Sequence, residues 1–182
     1  MNSSGSYNMA SGHQALYRNK TGSGNIALGQ QALFSNSTGS HNFSSGYGAL
    51  RRNTTGYHNI ALGARTLYGN TTGSSNVALG FEAGYRATGG GNVFLGYQAG
   101  YNETGSNTLY IDNSNTDTPL IHGDFDGDVL TVNGEFRVDE IYHTNGTKML
   151  AFDGATVNAG PTTADSDGNV YTGDEILENN VS

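Results

Sequence analysis

Asp124, Asp126, Asp128 and Glu135 stand at offsets 1, 3, 5 and 12 of a calcium-loop pattern, where alternate carboxylates converge on one cation. Val129 holds the sixth position, which wants glycine for its sharp turn, and both flanks have the pattern of strands rather than helices. A hairpin turn with solvated carboxylates accounts better for these residues, and Asp124, Asp126 and Asp128 remain only weak metal candidates. Asp165, Asp167 and Asn169 form a second acidic turn with the same weakness. Of the five histidines, His41 and His58 occupy equivalent places 17 residues apart, so they can stack; surface turn positions explain them more simply than a metal axis does. The chain carries no nucleophile elbow, Walker loop, HExxH or paired-carboxylate signature. Its Gly-x-Gly triplets lack the strand–helix unit of a dinucleotide site. A non-catalytic protein without a cofactor is expected.

The elements that must position these side chains are repeats. Asn8, Asn25, Asn42, Asn59, Asn76, Asn92 and Asn107 fall 17, 17, 17, 17, 16 and 15 residues apart. Around them recur TGSGNIALG (21–29), TGYHNIALG (55–63), TGSSNVALG (72–80) and TGGGNVFLG (88–96). A fixed short period means one structural unit stacked on its copies. Ile26 and Leu28 alternate with Ala27, and Ile60 and Leu62 with Ala61, which is strand periodicity and sets the Ile and Leu inward. Gly29, Gly63, Gly80 and Gly96 end that strand, and Thr-Gly pairs such as 38–39 and 72–73 close the coil with a turn. A second short strand is expected at Ala15–Tyr17, Ala32–Phe34 and Thr66–Tyr68. The result is an all-β, narrow parallel β-roll or β-solenoid of 17-residue rungs. So thin a rung has little interior, so several chains are expected to share an apolar face.

The seven asparagines are expected to form a structural amide ladder along the roll. The aromatic column Tyr17, Phe34, Tyr68, Tyr85 and Tyr101 is a second ladder, at a trimer contact or, where exposed, at a receptor or sugar surface.

Composition narrows the function classes. Hydrophobic residues make up 35% of the 182, with 28 Gly, no Trp and no Cys, which excludes disulfides, thiolate metal sites and an ordinary core of large side chains. Residues 1–107 hold six basic groups against two acidic ones (Glu82 and Glu103), whereas 108–182 hold two against 14. That break marks a change of architecture, and the acidic part argues against nucleic acid. The scattered arginines of the first part are too sparse for a phosphate-tracking stripe. Neither a signal peptide nor a membrane-spanning apolar run is expected.

The N-[IV]-A-L-G rung chained through Thr-Gly turns resembles the head repeats of trimeric autotransporter adhesins, and similar repeats occur in phage tail-fibre shafts and endosialidase-chaperone-type proteins. The resemblance covers residues 8–107 and implies a left-handed parallel β-roll assembled as a homotrimer. Asn8–Gly12 and Asn42–Gly46 depart from it, with Ser in place of Leu, and looser rungs are expected there. Residues 107–138 resemble the segment that follows such repeats. Three strands are expected there, with turns at 113–119, 126–128 and Asn133-Gly134; a further hairpin is expected at Asn145-Gly146. The expected organisation is a roll over 1–107, an acidic β-hairpin neck over 108–152, and an extended or partly disordered segment over 153–182. The functional expectation is a structural and adhesive component of a virion or phage-tail-like particle, assembled in the host cytoplasm. Its partners would be itself, other particle proteins and a host-surface glycan or receptor, with no nucleic acid and no membrane insertion. The alternative is the head of a bacterial cell-surface adhesin.

Overall fold

The computed structural model describes residues 4–136 in full and, further on, the backbone of four short strands. Seven strands stack in parallel and in register: β1 (Met9–Ser11), β2 (Ile26–Leu28), β3 (Phe43–Ser45), β4 (Ile60–Leu62), β5 (Val77–Leu79), β6 (Val93–Leu95) and β7 (Thr108–Ile111). The chain then reverses through β8 (Ile121–Asp124) and β9 (Val129–Val132), which extend the same sheet antiparallel. The fold is an all-β solenoid, and no helix occurs among the described residues. Strands β1 to β9 belong to a compact unit, Met1–Glu135. In a second unit, Phe136–Ser182, β10 (Glu140–Tyr142) pairs antiparallel with β11 (Lys148–Ala151); the expected turn at Asn145-Gly146 lies outside the described residues. There too, β12 (Thr163–Ala164) pairs with β13 (Val170–Tyr171). The expected disorder over 153–182 and the acidic turn at 165–169 fall outside the described residues.

Each rung contains one strand, not two. The expected second strand is a tight corner in which Leu16, Leu33, Leu50 and Leu67 have φ of +49 to +50°. Left-handed backbone breaks strand geometry, but the corner still stacks: Leu33 N–H donates to the Ala49 carbonyl and Leu50 N–H to that of Thr66, both at 3.0 Å. At the end of each strand, a Cβ built on Gly63 (φ +131°) would lie 2.4 Å from the Gly80 carbonyl oxygen. The same crowding recurs at its counterparts, so this column accepts only glycine.

The strand alternation runs in the opposite phase to that expected. Ala27, Ser44, Ala61, Ala78 and Phe94, the strand centres, are buried, whereas Ile60, Val77 and Leu79 are 40%, 37% and 51% exposed. The interior has room for the column Leu16, Leu33, Leu50 and Leu67, the alanines beside it and small strand centres, so the larger strand residues face out. The rungs carrying Ser are therefore not missing an inward Leu. Ser44 is the inward residue of its rung and donates its hydroxyl to the Ala49 carbonyl at 2.9 Å. At Phe94 the interior pattern inverts. The Leu column becomes Gly84 and Gly100, where an added Cβ would lie 2.6 and 2.3 Å from the Phe94 ring. The pair Ala78 with Leu67 is thus exchanged for Phe94 with glycine, at similar filled volume.

Asn133-Gly134 is not a hairpin among the described residues. Asn133 instead ties back to the preceding loop, its N–H to the Leu120 carbonyl and its Nδ2 to that of Pro119 at 2.7 Å.

Candidate functional site

The amide ladder is built from the strand entry. Its residues precede β-strands whose register is fixed by the parallel pairing, so each side chain arrives directly above the next. Asn42 Oδ1 accepts the backbone N–H and Nδ2 of Asn59, both at 3.0 Å, and Asn59 Oδ1 does the same for Asn76. Each Nδ2 also donates to a glycine carbonyl in the following Thr-Gly turn, as Asn59 does to Gly73 at 2.9 Å. Asn8, Asn25, Asn42, Asn59, Asn76 and Asn92 take part. Asn107 does not. Val93 pairs with Leu109, which places Thr108 after Asn92; Thr108 donates both its N–H and its hydroxyl to Asn92 Oδ1. The final rung is thus 16 residues long with its Asn replaced by Thr, rather than 15. Asn107, one residue early and in left-handed backbone, donates instead to the Asp126 carboxylate.

A second, unexpected ladder runs through Asn19, Asn36, Asn53 and Asn70, all buried. Asn36 donates to Asn19 Oδ1 and Asn53 to Asn36 Oδ1, both at 2.8 Å. Each also donates to the glycine three residues on, so the Gly73 carbonyl receives Nδ2 of both Asn59 and Asn70. The two ladders clamp each Thr-Gly turn from both sides. The signal was the repeated N-x-T-G, whose Asn36 and Asn70 also match an N-glycosylation pattern that turn composition alone explains. This ladder stops where the rung shortens: Ala87 occupies the next place, and Asn70 Oδ1 is left buried without a partner.

The aromatic residues stack in two runs. Tyr17 stacks on Phe34 (5.6 Å between centroids), Tyr68 on Tyr85 (5.1 Å) and Tyr85 on Tyr101 (4.9 Å), with planes within 8°. Sequence reading omitted Arg51, which continues the column. Its guanidinium lies 5.3 Å from the Phe34 ring and 5.6 Å from that of Tyr68, and it donates to the Tyr68 hydroxyl and to Gln31 Oε1, both at 3.0 Å. Beside it, Glu82 is buried between Arg65 (3.1 Å) and Gln98 (2.8 Å); the Glu82 hydrogen bond holds the Arg65 guanidinium more firmly protonated than usual.

The other candidates are turn chemistry. Asp124 Oδ1 accepts the N–H groups of Asp126 and Gly127, Asp128 takes a φ of +51°, and all three aspartates are exposed. Among the described residues no group of three or more His, Cys, Asp or Glu could hold a metal ion. His41 and His58 meet as expected, 5.4 Å apart on the exposed surface. Glu103 closes the lower end of the roll with a 2.7 Å hydrogen bond from the Tyr110 hydroxyl. Burial raises the Glu103 pKa, but bonds from Tyr110 and from the N–H groups of Gly105 and Thr104 outweigh it and hold the carboxyl below its ordinary value. Burial, and then that same carboxylate, push the Tyr110 hydroxyl upward. Compared with protein-family models, curated proteins and solved structures, the chain matches none.

Proposed function

We propose that this chain is a non-catalytic structural and adhesive component of a virion or phage-tail-like particle, a trimeric fibre, spike or decoration protein. The observation that carries the reading is the outward face of the stacked strands. Met9, Phe43, Ile60 and Val77 are exposed in one column of the register, with the half-buried Ile26 between the first two, and Leu79 stands beside Val77 on the same strand. A contiguous apolar stripe of this kind on a soluble protein is a surface that another surface covers. Because the stripe follows the repeat, the partner that matches it rung for rung is another copy of the same roll, and three copies close a shaft without leaving an open apolar face. The roll's two carboxylates support the non-catalytic half of the reading, since Glu82 is held by Arg65 and Gln98, and Glu103 by Tyr110.

Light scattering on the full chain tests the assembly. A mass three times that of the chain is expected, with dissociation when Ile60 and Leu79 are both changed to Asp; a wild-type monomer would end the proposal. The head of a bacterial cell-surface adhesin is the alternative, since the resemblance in the repeats extends to both. Immunogold labelling distinguishes them, on purified particles for the first and on the cell envelope for the second.

A further inference from the structure

Every second rung carries an arginine beside the aromatic ladder. Arg18, Arg52 and Arg86 lie 34 residues apart, with Ser35, Gly69 and Asn102 at the same place in the rungs between and after them. With rungs about 4.8 Å apart, their spacing along the shaft is about 9.6 Å. Each guanidinium lies over the ring of the next rung: Arg18 5.1 Å from Phe34, Arg52 5.4 Å from Tyr68, Arg86 6.0 Å from Tyr101. All three arginines are exposed, and among the described residues none of them forms an ion pair. Gly69 leaves the gap between two of them open, as a depression of about 340 Å³ lined by Arg52, Tyr68, Gly69, Tyr85, Arg86 and Thr88.

The chemistry of this face selects its ligand. The rings stack on one another or, at Phe34 and Tyr68, against Arg51, so the ladder offers chiefly ring edges and phenol hydroxyls to a ligand. Ring edges carry partial positive charge and hydroxyls donate hydrogen bonds. Among the described residues the Tyr85 and Tyr101 hydroxyls make no hydrogen bond, and the nearby Glu82 is turned to Arg65 and Gln98. The strip therefore combines sparse, regularly spaced positive charge with polar donors. Single-stranded nucleic acid needs free aromatic faces for its bases and a denser row of cations for its phosphates. Two extended pyranose units, in contrast, span about the distance between successive arginines.

We propose that the ladder face binds an acidic polysaccharide carrying one carboxylate per disaccharide, laid along the shaft. Its carboxylates meet Arg18, Arg52 and Arg86, and its hydroxyls meet the phenols of Tyr85 and Tyr101. The site is built within one chain, so the proposal rests on the adhesive half of the function above and not on trimerisation.

The test is calorimetric or interferometric binding of the full chain to hyaluronan and unsulfated chondroitin oligosaccharides, with dextran, polyglutamate and single-stranded DNA alongside. Binding to at least one of the two acidic glycans is expected, weakening as salt rises, with no response to dextran. Arg52→Gln combined with Arg86→Gln should weaken it at least tenfold with the circular dichroism unchanged, whereas Lys148→Gln, in the other unit, should not. Three outcomes overturn the proposal: neither acidic glycan binds better than dextran, polyglutamate or DNA binds as tightly as the glycans, or the double variant binds like the wild type. Light scattering on the same sample keeps the two proposals separate. A trimer that fails to bind refutes this one alone, and a binding monomer refutes only the assembly.

Discussion

Asn59→Ala puts the amide ladder under the most direct strain. The side chain is fully buried and makes four hydrogen bonds: two donated, to Asn42 Oδ1 and the Gly73 carbonyl, and two accepted, from Asn76 N–H and Nδ2. Truncation does not orphan every partner. Asn42 Oδ1 keeps the Asn59 backbone N–H, the Gly73 carbonyl keeps Asn70, and Asn76 Nδ2 keeps the Gly89 carbonyl. Only the Asn76 backbone N–H loses its acceptor. One orphaned buried donor costs about 1–3 kcal/mol and three further bonds about 1 kcal/mol each, so a loss of about 4–6 kcal/mol is expected. Asn107→Ala, which removes bonds to an exposed carboxylate outside the ladder, should cost under about 1 kcal/mol. Urea unfolding of the full chain at one fixed protein concentration measures both, since any assembly makes the midpoint concentration-dependent. Asn59→Asp keeps the shape but sets a carboxylate against two carbonyl-type oxygens, and should be at least as damaging at neutral pH. Equal losses for Asn59→Ala and Asn107→Ala, or a loss below about 1 kcal/mol for the former, would refute the ladder's structural role.

Four further outcomes follow from the interior and the lower end of the roll. Phe94→Ala should cost about 3–5 kcal/mol, and adding Gly84→Leu should recover much of it, because it restores the Ala78 and Leu67 arrangement in a corner of similar φ (+59° against +50°); thermal melts of the two single and one double variant read the coupling. Gly63→Ala drives a Cβ to within 2.4 Å of the Gly80 carbonyl and should abolish the soluble folded form, seen as loss of the β spectrum. Because the Glu103 carboxyl is held below its ordinary value in the fold, its stabilisation is present above the unfolded value and disappears as pH falls through the folded one. Acid titration of stability should show that loss, and Glu103→Gln should remove it. Tyr110 is shifted upward, so its contribution holds below the ordinary tyrosine value near 10.0 and fades as pH rises past it.

Much of the architecture was legible because it repeats. The period placed β2 to β6, the Asn ladder through Asn92 and the stacked rings of Tyr68, Tyr85 and Tyr101, since a residue type kept at one place in every rung must meet itself. The phase of the strand was not legible from alternation alone. In Ile60-Ala61-Leu62 both faces are apolar, and only the narrowness of the interior decides that Ala61 goes in. A covarying signal did exist. Phe94 replaces the small strand centre in the rung bracketed by Gly84 and Gly100, and that exchange marks the two columns as neighbours across the interior. Glycines also stand in for other residues at Gly48 and Gly84, each with positive φ, and so mark the left-handed corner that occupies the place of the expected second strand. Asn107 misled because an Asn one residue early looks like a shortened period; only the pairing of Val93 with Leu109 reveals Thr108 as the true successor.

The in-register stacking also bears on how the chain acquires its fold. Each of β1 to β6 pairs with the strand that follows it 16 or 17 residues later, so each added rung requires closure of one short loop onto a finished template. The first pairing must form without such a template, and it carries the cost of nucleation; later rungs add by propagation, as in a one-dimensional array. Because the template lies on the N-terminal side, a chain emerging from the ribosome can complete the roll in the order in which it is synthesised. The antiparallel β8 and β9 come last and add to a sheet that is already formed.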